Sequence, residues 1–141
     1  MSPRLQKIVD ALPLRAGIRV LEIGCGPGAA AREIAMRIGN GHIVAIDRSA
    51  KAIRLAIGTS GAEIARGNLS YRQVAIEDFE LAHGEQSFDL AFAVRVGALD
   101  GRHPEIEAAA LQKIAKALTK RGKLFIDRGE TLHEVKLDKY R

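Results

Sequence analysis

Residues 24–28 read Gly-Cys-Gly-Pro-Gly, and few architectures accommodate such a run. Three glycines and a proline within five residues suit the interior of neither a helix nor a strand. Before the run stands the apolar stretch 18–23 (Ile-Arg-Val-Leu-Glu-Ile), and after it the alanine-rich stretch 29–38. The succession predicts a strand, a tight turn and a helix, the opening unit of an α/β sheet.

The rest of the chain repeats that alternation. Residues 3–12 predict a short helix, with Ser2 as cap, Pro3 at the first position and Leu5, Ile8, Val9 and Leu12 on one face. Residues 42–46 predict a second strand closed by Asp47. Ser49 then caps a helix over about 50–58 with Ile53, Ala56 and Ile57 inward. Residues 70–75 predict a third strand, 76–87 an acidic loop and 88–94 a fourth strand. Residues 104–119 predict a helix with Ile106, Ala109, Ala110, Ile114, Ala117 and Leu118 in register and Gly122 as its end. A fifth strand follows at 123–127, and the tail from 130 to 141 has room for a short strand over Thr131 to Leu137. The fold class is α/β: a three-layer Rossmann-like sandwich, mostly parallel, with helices on both faces. Its 141 residues predict a single domain, 1–141.

Ligands in such sheets bind beyond the carboxyl ends of the strands, at the point where strand order reverses. The glycine turn marks that point. Asp47, at the end of the second strand, is placed to accept both hydroxyls of a ribose. The set Gly24, Gly26 and Ala29 also fits the dinucleotide fingerprint, so glycine spacing alone leaves a nicotinamide cofactor open. Two residues weigh against a diphosphate there: Pro27 brings no N–H, and Glu22 puts an acid just before the turn.

The segment Val20-Leu21-Glu22-Ile23-Gly24-Cys25-Gly26-Pro27-Gly28 resembles the first motif of class I S-adenosylmethionine-dependent methyltransferases. Val44-Ala45-Ile46-Asp47-Arg48-Ser49 resembles their second motif, and Ser87-Phe88-Asp89-Leu90-Ala91-Phe92 their fourth-strand motif. Residues 111–126 resemble their helix, turn and fifth strand, with Arg121-Gly122 where the family often has Pro-Gly. The likeness runs from about residue 16 to 127. It implies S-adenosylmethionine as cofactor, with Gly24, Cys25, Gly26 and Gly28 forming the loop around its methionine part and Glu22 supporting that loop. It implies Asp47 on the ribose, Arg48 beside the adenine, and the backbone carbonyl of Arg95 on the methionine amino group. The adenine-contacting acid is displaced from the usual pattern. One alignment puts Ala75 in its place, and a shifted one makes Glu77 or Asp78, next to Ile76, the contact.

A sulfonium cofactor carries its own activated methyl group, so the protein's task is alignment and exclusion of water. No Asn-Pro-Pro-Tyr-like segment follows the fourth strand. The loop 95–104 lies over the expected cleft, and within it Asp100 and His103 are the candidates for base or binding group, or simply helix-start residues. The histidines show no metal spacing, so no metal site is predicted.

The net charge of +5 is spread along the chain, and aromatic residues are only 4%, so stacking platforms are scarce. A small-molecule methyl acceptor is therefore favoured over nucleic acid. A lone cysteine, no apolar run long enough for a membrane span and no signal-like N-terminus predict a cytoplasmic setting without membrane insertion. By the resemblance the fold is C-terminally shortened, which leaves a sheet edge exposed. Three readings of that edge stand open: a minimal enzyme, a homodimer covering it, or a natural fragment with degraded catalysis. The last fits the alternative function, a non-catalytic cofactor-binding or partner module.

Overall fold

The computed structural model describes residues 1–128 and 131–141. The first helix, α1, spans Pro3–Ala11. The Ser2 hydroxyl accepts from the Leu5 N–H at its start, and Ile8 and Val9 are buried. Strand β1 covers Arg19–Ile23, and helix α2 covers Ala29–Ala35. Helix α2 stops earlier than the 38 expected, because the chain leaves the helix at Met36 and turns through Gly39 at φ +55°. Ile38 nevertheless stays fully buried.

Strand β2, His42–Asp47, leads to α3, Ala50–Thr59, capped by Ser49, and then to a short α4, Gly61–Ala65. The stripe of α3 that meets the sheet is confined to Ile53 and Ala56, so Ile57, expected inward, lies at its margin and is 48% exposed. Strand β3 is Leu69–Gln73 and β4 is Phe88–Ala93. The loop between them contains a single 3-10 turn at Ile76–Asp78 and buries Phe79. Ion pairing of Arg72 with Glu85 ties it to β3.

Helix α5 spans Pro104–Ala117, and strand β5 begins at once, running Leu118–Arg128. This corrects the expected helix end at Gly122. Leu118 leaves the helix because it pairs with Phe88 of β4, so residues 119–122 are already strand. Ala109, expected in register on the inner face, is exposed. From the tail, Glu130 lies outside the described residues, and Thr131–Val135 forms β6, antiparallel to β5.

The six strands lie in the order β3-β2-β1-β4-β5-β6, parallel except for β6. The order reverses between β1 and β4. Even-numbered positions of β1 and β4, such as Val20 and Phe92, pack with α1, α2 and α3, while Leu21, Ile23 and Ala91 pack with α5. Sheet and helices therefore form three layers, with β3 and β6 at the edges. No helix among the described residues is long and apolar enough to cross a membrane.

Candidate cofactor cleft

The turn between β1 and α2 is held from below by its own backbone. The N–H groups of Gly24 and Cys25 both donate to the Ile46 carbonyl at 2.8 and 2.9 Å, and the Gly28 N–H donates to the Cys25 carbonyl at 3.1 Å. The Gly26 N–H donates to Asp47 Oδ2 at 2.9 Å, while Asp47 Oδ1 accepts from the Ser49 N–H, also at 2.9 Å. Pro27 has no N–H to offer. Every donor of residues 24–28 is thus spent inside the protein, and a diphosphate would find none free in the turn. That is a physical reason to set the dinucleotide reading aside.

The three glycines of the turn have different tasks. Gly24 (φ +73°) is exposed at the cleft, and a Cβ there would come within 2.6 Å of Val96 Cγ2. Gly26 (φ +54°) faces open space. Gly28 (φ +91°), expected to line the ligand, is buried on the far side, where a Cβ would collide with the Tyr71 hydroxyl. That hydroxyl lies 2.8 Å from Ser60 Oγ. The Arg32 guanidinium donates to the Pro27 carbonyl at 2.9 Å and to Thr59 Oγ1 at 2.7 Å. Arg32, Ser60 and Tyr71 therefore pin the back of the turn to the end of α3. Nothing in their local sequence marks them, since they meet only through the fold.

Beyond β1, β2 and β4 opens a cleft of about 320 Å³. Of the residues singled out in the sequence, Gly24, Asp47, Arg48, Ile76, Glu77, Arg95 and His103 line it. Ala75 and Glu77 both do so, whereas Asp78 is exposed at the end of its 3-10 turn and is not part of the wall. Val96, from the loop expected over the cleft, supplies apolar wall, joined by Val74 and Ile106, which the sequence did not single out as lining. The Arg95 carbonyl accepts a 2.8 Å hydrogen bond from the Arg102 guanidinium, which also grips Asp100 at 2.8 Å.

Asp100 and His103 are separated by the loop's turn at Gly101 (φ +93°). His103 faces the cleft with its ring against Gly97, and Asp100 lines a neighbouring cavity. Hydrogen bonding from Arg102 holds the Asp100 carboxyl below its ordinary value, which makes it a weak base. Cys25 is buried, and burial, reinforced by the negative charge of Glu22 and Asp47, pushes its thiol well up, so a thiolate nucleophile is disfavoured.

Glu22 is 4% exposed, and its Oε1 has no hydrogen-bond partner among the described residues. Burial, and secondarily the charge of Asp47, raises its carboxyl to about 8. Among the described residues no group of histidine, cysteine, aspartate or glutamate is arranged to hold a metal ion.

The chain matches the family model described as a methyltransferase domain over residues 14–140. It belongs to the methyltransferase domain family. No curated protein sequence matches it.

Among solved structures this methyltransferase domain is similar to an S-adenosylmethionine-dependent methyltransferase from Thiobacillus denitrificans in complex with S-adenosylhomocysteine. Identity is 22% and the TM-score 0.68, over 89% of this chain and 48% of that one. It is similar to phosphoethanolamine N-methyltransferase 1 from Haemonchus contortus, in complex with phosphoethanolamine and S-adenosylhomocysteine. Here identity is 20% and the TM-score 0.72, over 89% of this chain and 25% of that one. The [4+2]-cyclase SpnF is a third, at 23% identity and TM-score 0.71, over 87% of this chain and 43% of that one. The chain thus spans about half or less of the length of these three proteins, and at such identities the likeness is one of fold.

S-adenosylmethionine is the cofactor of this family, and the cleft has the chemistry to suit it. The Asp47 carboxylate is oriented by two backbone N–H groups, yet each oxygen keeps a lone pair for a diol. The turn in front of Glu22 offers no free N–H for an anionic group. Gly24 leaves bare backbone at the cleft, where any side chain would meet Val96.

Proposed function

We propose that this chain is an S-adenosylmethionine-dependent methyltransferase domain acting on a small-molecule acceptor. The observation that carries the reading is the exhaustion of every N–H in residues 24–28, together with an oriented Asp47 carboxylate at the mouth of the cleft. This combination suits a ribose and leaves a diphosphate no donor within the turn. In the proposed mode Asp47 takes the ribose hydroxyls, and Gly24 and Gly26 lie along the methionine part. Cys25 and Gly28 shape the turn, with Gly28 acting through its packing on Tyr71. Arg48, Ile76 and Glu77 border the adenine, and Glu77 is favoured over Asp78 because it faces the cleft. Glu22 backs the loop. The Arg95 carbonyl is free for an ammonium group once Arg102 releases it.

When bound, the cofactor supplies an activated methyl group. The chain's own contribution is to position the partners and keep water away, through Val74, Val96 and Ile106. Where the acceptor has a proton to lose, His103 supplies an imidazole facing the cleft. The same reading treats residues 1–141 as one domain in a cytoplasmic setting, with β6 as the edge on which a second copy would pair.

A second reading, a cofactor-binding module without methyl transfer, has a specific observation in its favour. Val96 sits on Gly24, and Arg102 occupies the Arg95 carbonyl. Likeness to a cyclase also illustrates that this fold carries other chemistry.

The test is calorimetry with S-adenosylmethionine, S-adenosylhomocysteine and NAD on the wild-type chain and Asp47→Ala. Uptake of the first two, absent for NAD and lost in the variant, is expected. Uptake of NAD alone, or indifference to the variant, overturns the reading. Methyl release across an acceptor panel then separates enzyme from module.

A further inference from the structure

A second cavity of about 640 Å³ adjoins the cofactor cleft, and the two meet at Arg95. It lies between the first turn of α1, the loop after β4 and the end of β5. Its wall contains Asp127, which is 4% exposed. Asp127 Oδ2 accepts from the Arg4 guanidinium at 2.5 Å, but Oδ1 has no hydrogen-bond partner among the described residues. A buried carboxylate oxygen without a donor is rare, and such a group calls for an explanation.

The same wall carries Arg95 and Arg128, both exposed and neither in an ion pair among the described residues. Arg95 is also the one described non-glycine residue with a positive φ, at 56°. A side chain held in so sparsely populated a backbone region is a pointer to function. The cavity therefore combines two uncommitted guanidinium groups with one buried oxygen that wants a donor.

We propose that this cavity binds a small bipolar molecule, with a carboxylate or phosphate on Arg95 and Arg128 and an N–H or O–H group on Asp127. The proposal rests on the reading above only in taking that molecule to be the methyl acceptor. A purely anionic ligand leaves Asp127 Oδ1 orphaned. A purely cationic one leaves the Arg95 and Arg128 guanidinium groups without an anion. A polyanion such as nucleic acid is repelled by Asp100 and Glu107 at the same wall, where no aromatic ring stands among the described residues for stacking.

The experiment is calorimetry of the full chain with five probes, each with and without saturating S-adenosylhomocysteine. Glycine and phosphoethanolamine are bipolar, ethanolamine carries only the donor end, and acetate and inorganic phosphate carry only the anion. At least one bipolar probe is expected to bind tenfold or more tightly than either of its halves, and the better of the two identifies the anion. Arg128→Gln, at an exposed position, is expected to weaken it about tenfold with the melting temperature unchanged. Asp127→Asn is expected to weaken the bipolar probe while acetate and phosphate bind no more weakly than to wild type.

Equal affinity for whole and half probes overturns the proposal, as does absence of binding at millimolar concentrations or indifference to Arg128→Gln. Binding of S-adenosylhomocysteine is read separately. Its loss alone sinks the methyltransferase reading and leaves the bipolar site standing. Its presence without a bipolar ligand does the reverse.

Discussion

Replacing Glu22 by glutamine isolates the effect of one buried acid on the whole domain. The folded chain holds the Glu22 carboxyl at about 8, first because it is buried and second because Asp47 is near, against an ordinary value of 4.5. Between those two values the unfolded chain has lost the proton and the folded chain keeps it. The folded state therefore binds more protons, and stability falls as pH rises. The contribution is fully present below 4.5, declines through the interval and is gone above about 8.

At about 1.36 kcal/mol per pH unit, the interval caps the loss at about 5 kcal/mol. That is a large share of the roughly 5–15 kcal/mol stability of an ordinary domain. Glutamine has nearly the same shape and no titration. Its advantage over wild type should grow by about 3 kcal/mol from about pH 5 to about pH 7. Urea denaturation at several pH values measures both chains. Other groups bend both curves alike, so only the difference matters. Parallel curves refute the claim that Glu22 is kept protonated by its burial.

Gly28→Ala forces a side chain into a left-handed residue and onto the Tyr71 hydroxyl. It is expected to cost about 2–3 kcal/mol by chemical denaturation, and adding Tyr71→Phe should leave about 1–2 kcal/mol, the backbone share. Ile114→Ala empties a fully buried position where α5 meets the sheet, with an expected loss of about 2–5 kcal/mol. A loss under half of the lower figure would show that α5 packs loosely. Arg102→Gln removes the hydrogen bond that holds the Asp100 carboxyl down. An NMR titration should then find Asp100 returned toward its ordinary value of 3.8, and an unchanged titration would place the cause elsewhere.

The strand, glycine turn and helix at 19–35 were legible because each signal is local: apolar β-branched residues, positive-φ glycines and alanines in immediate succession. Asp47 was legible for the same reason, as an acid closing a strand. The boundary between α5 and β5 was not. Thr119 to Gly122 read as a helix end, yet pairing of Leu118 with Phe88, distant in sequence, draws those residues into the sheet. The tasks of the glycines were equally hidden, since Gly28 serves Tyr71 and Gly24 faces Val96 only after the sheet has formed.

Asp100 and His103 are near neighbours in sequence and face different cavities, because Gly101 turns the loop between them. The isolated chain of letters therefore determined the order of elements and the glycine turn, through short-range conformational preference. The tertiary structure alone decided which side chains share a cavity. Burial and charge proximity depend on residues brought together across the sheet, as Glu22 with Asp47 and Arg95 with Asp127 and Arg128 make plain.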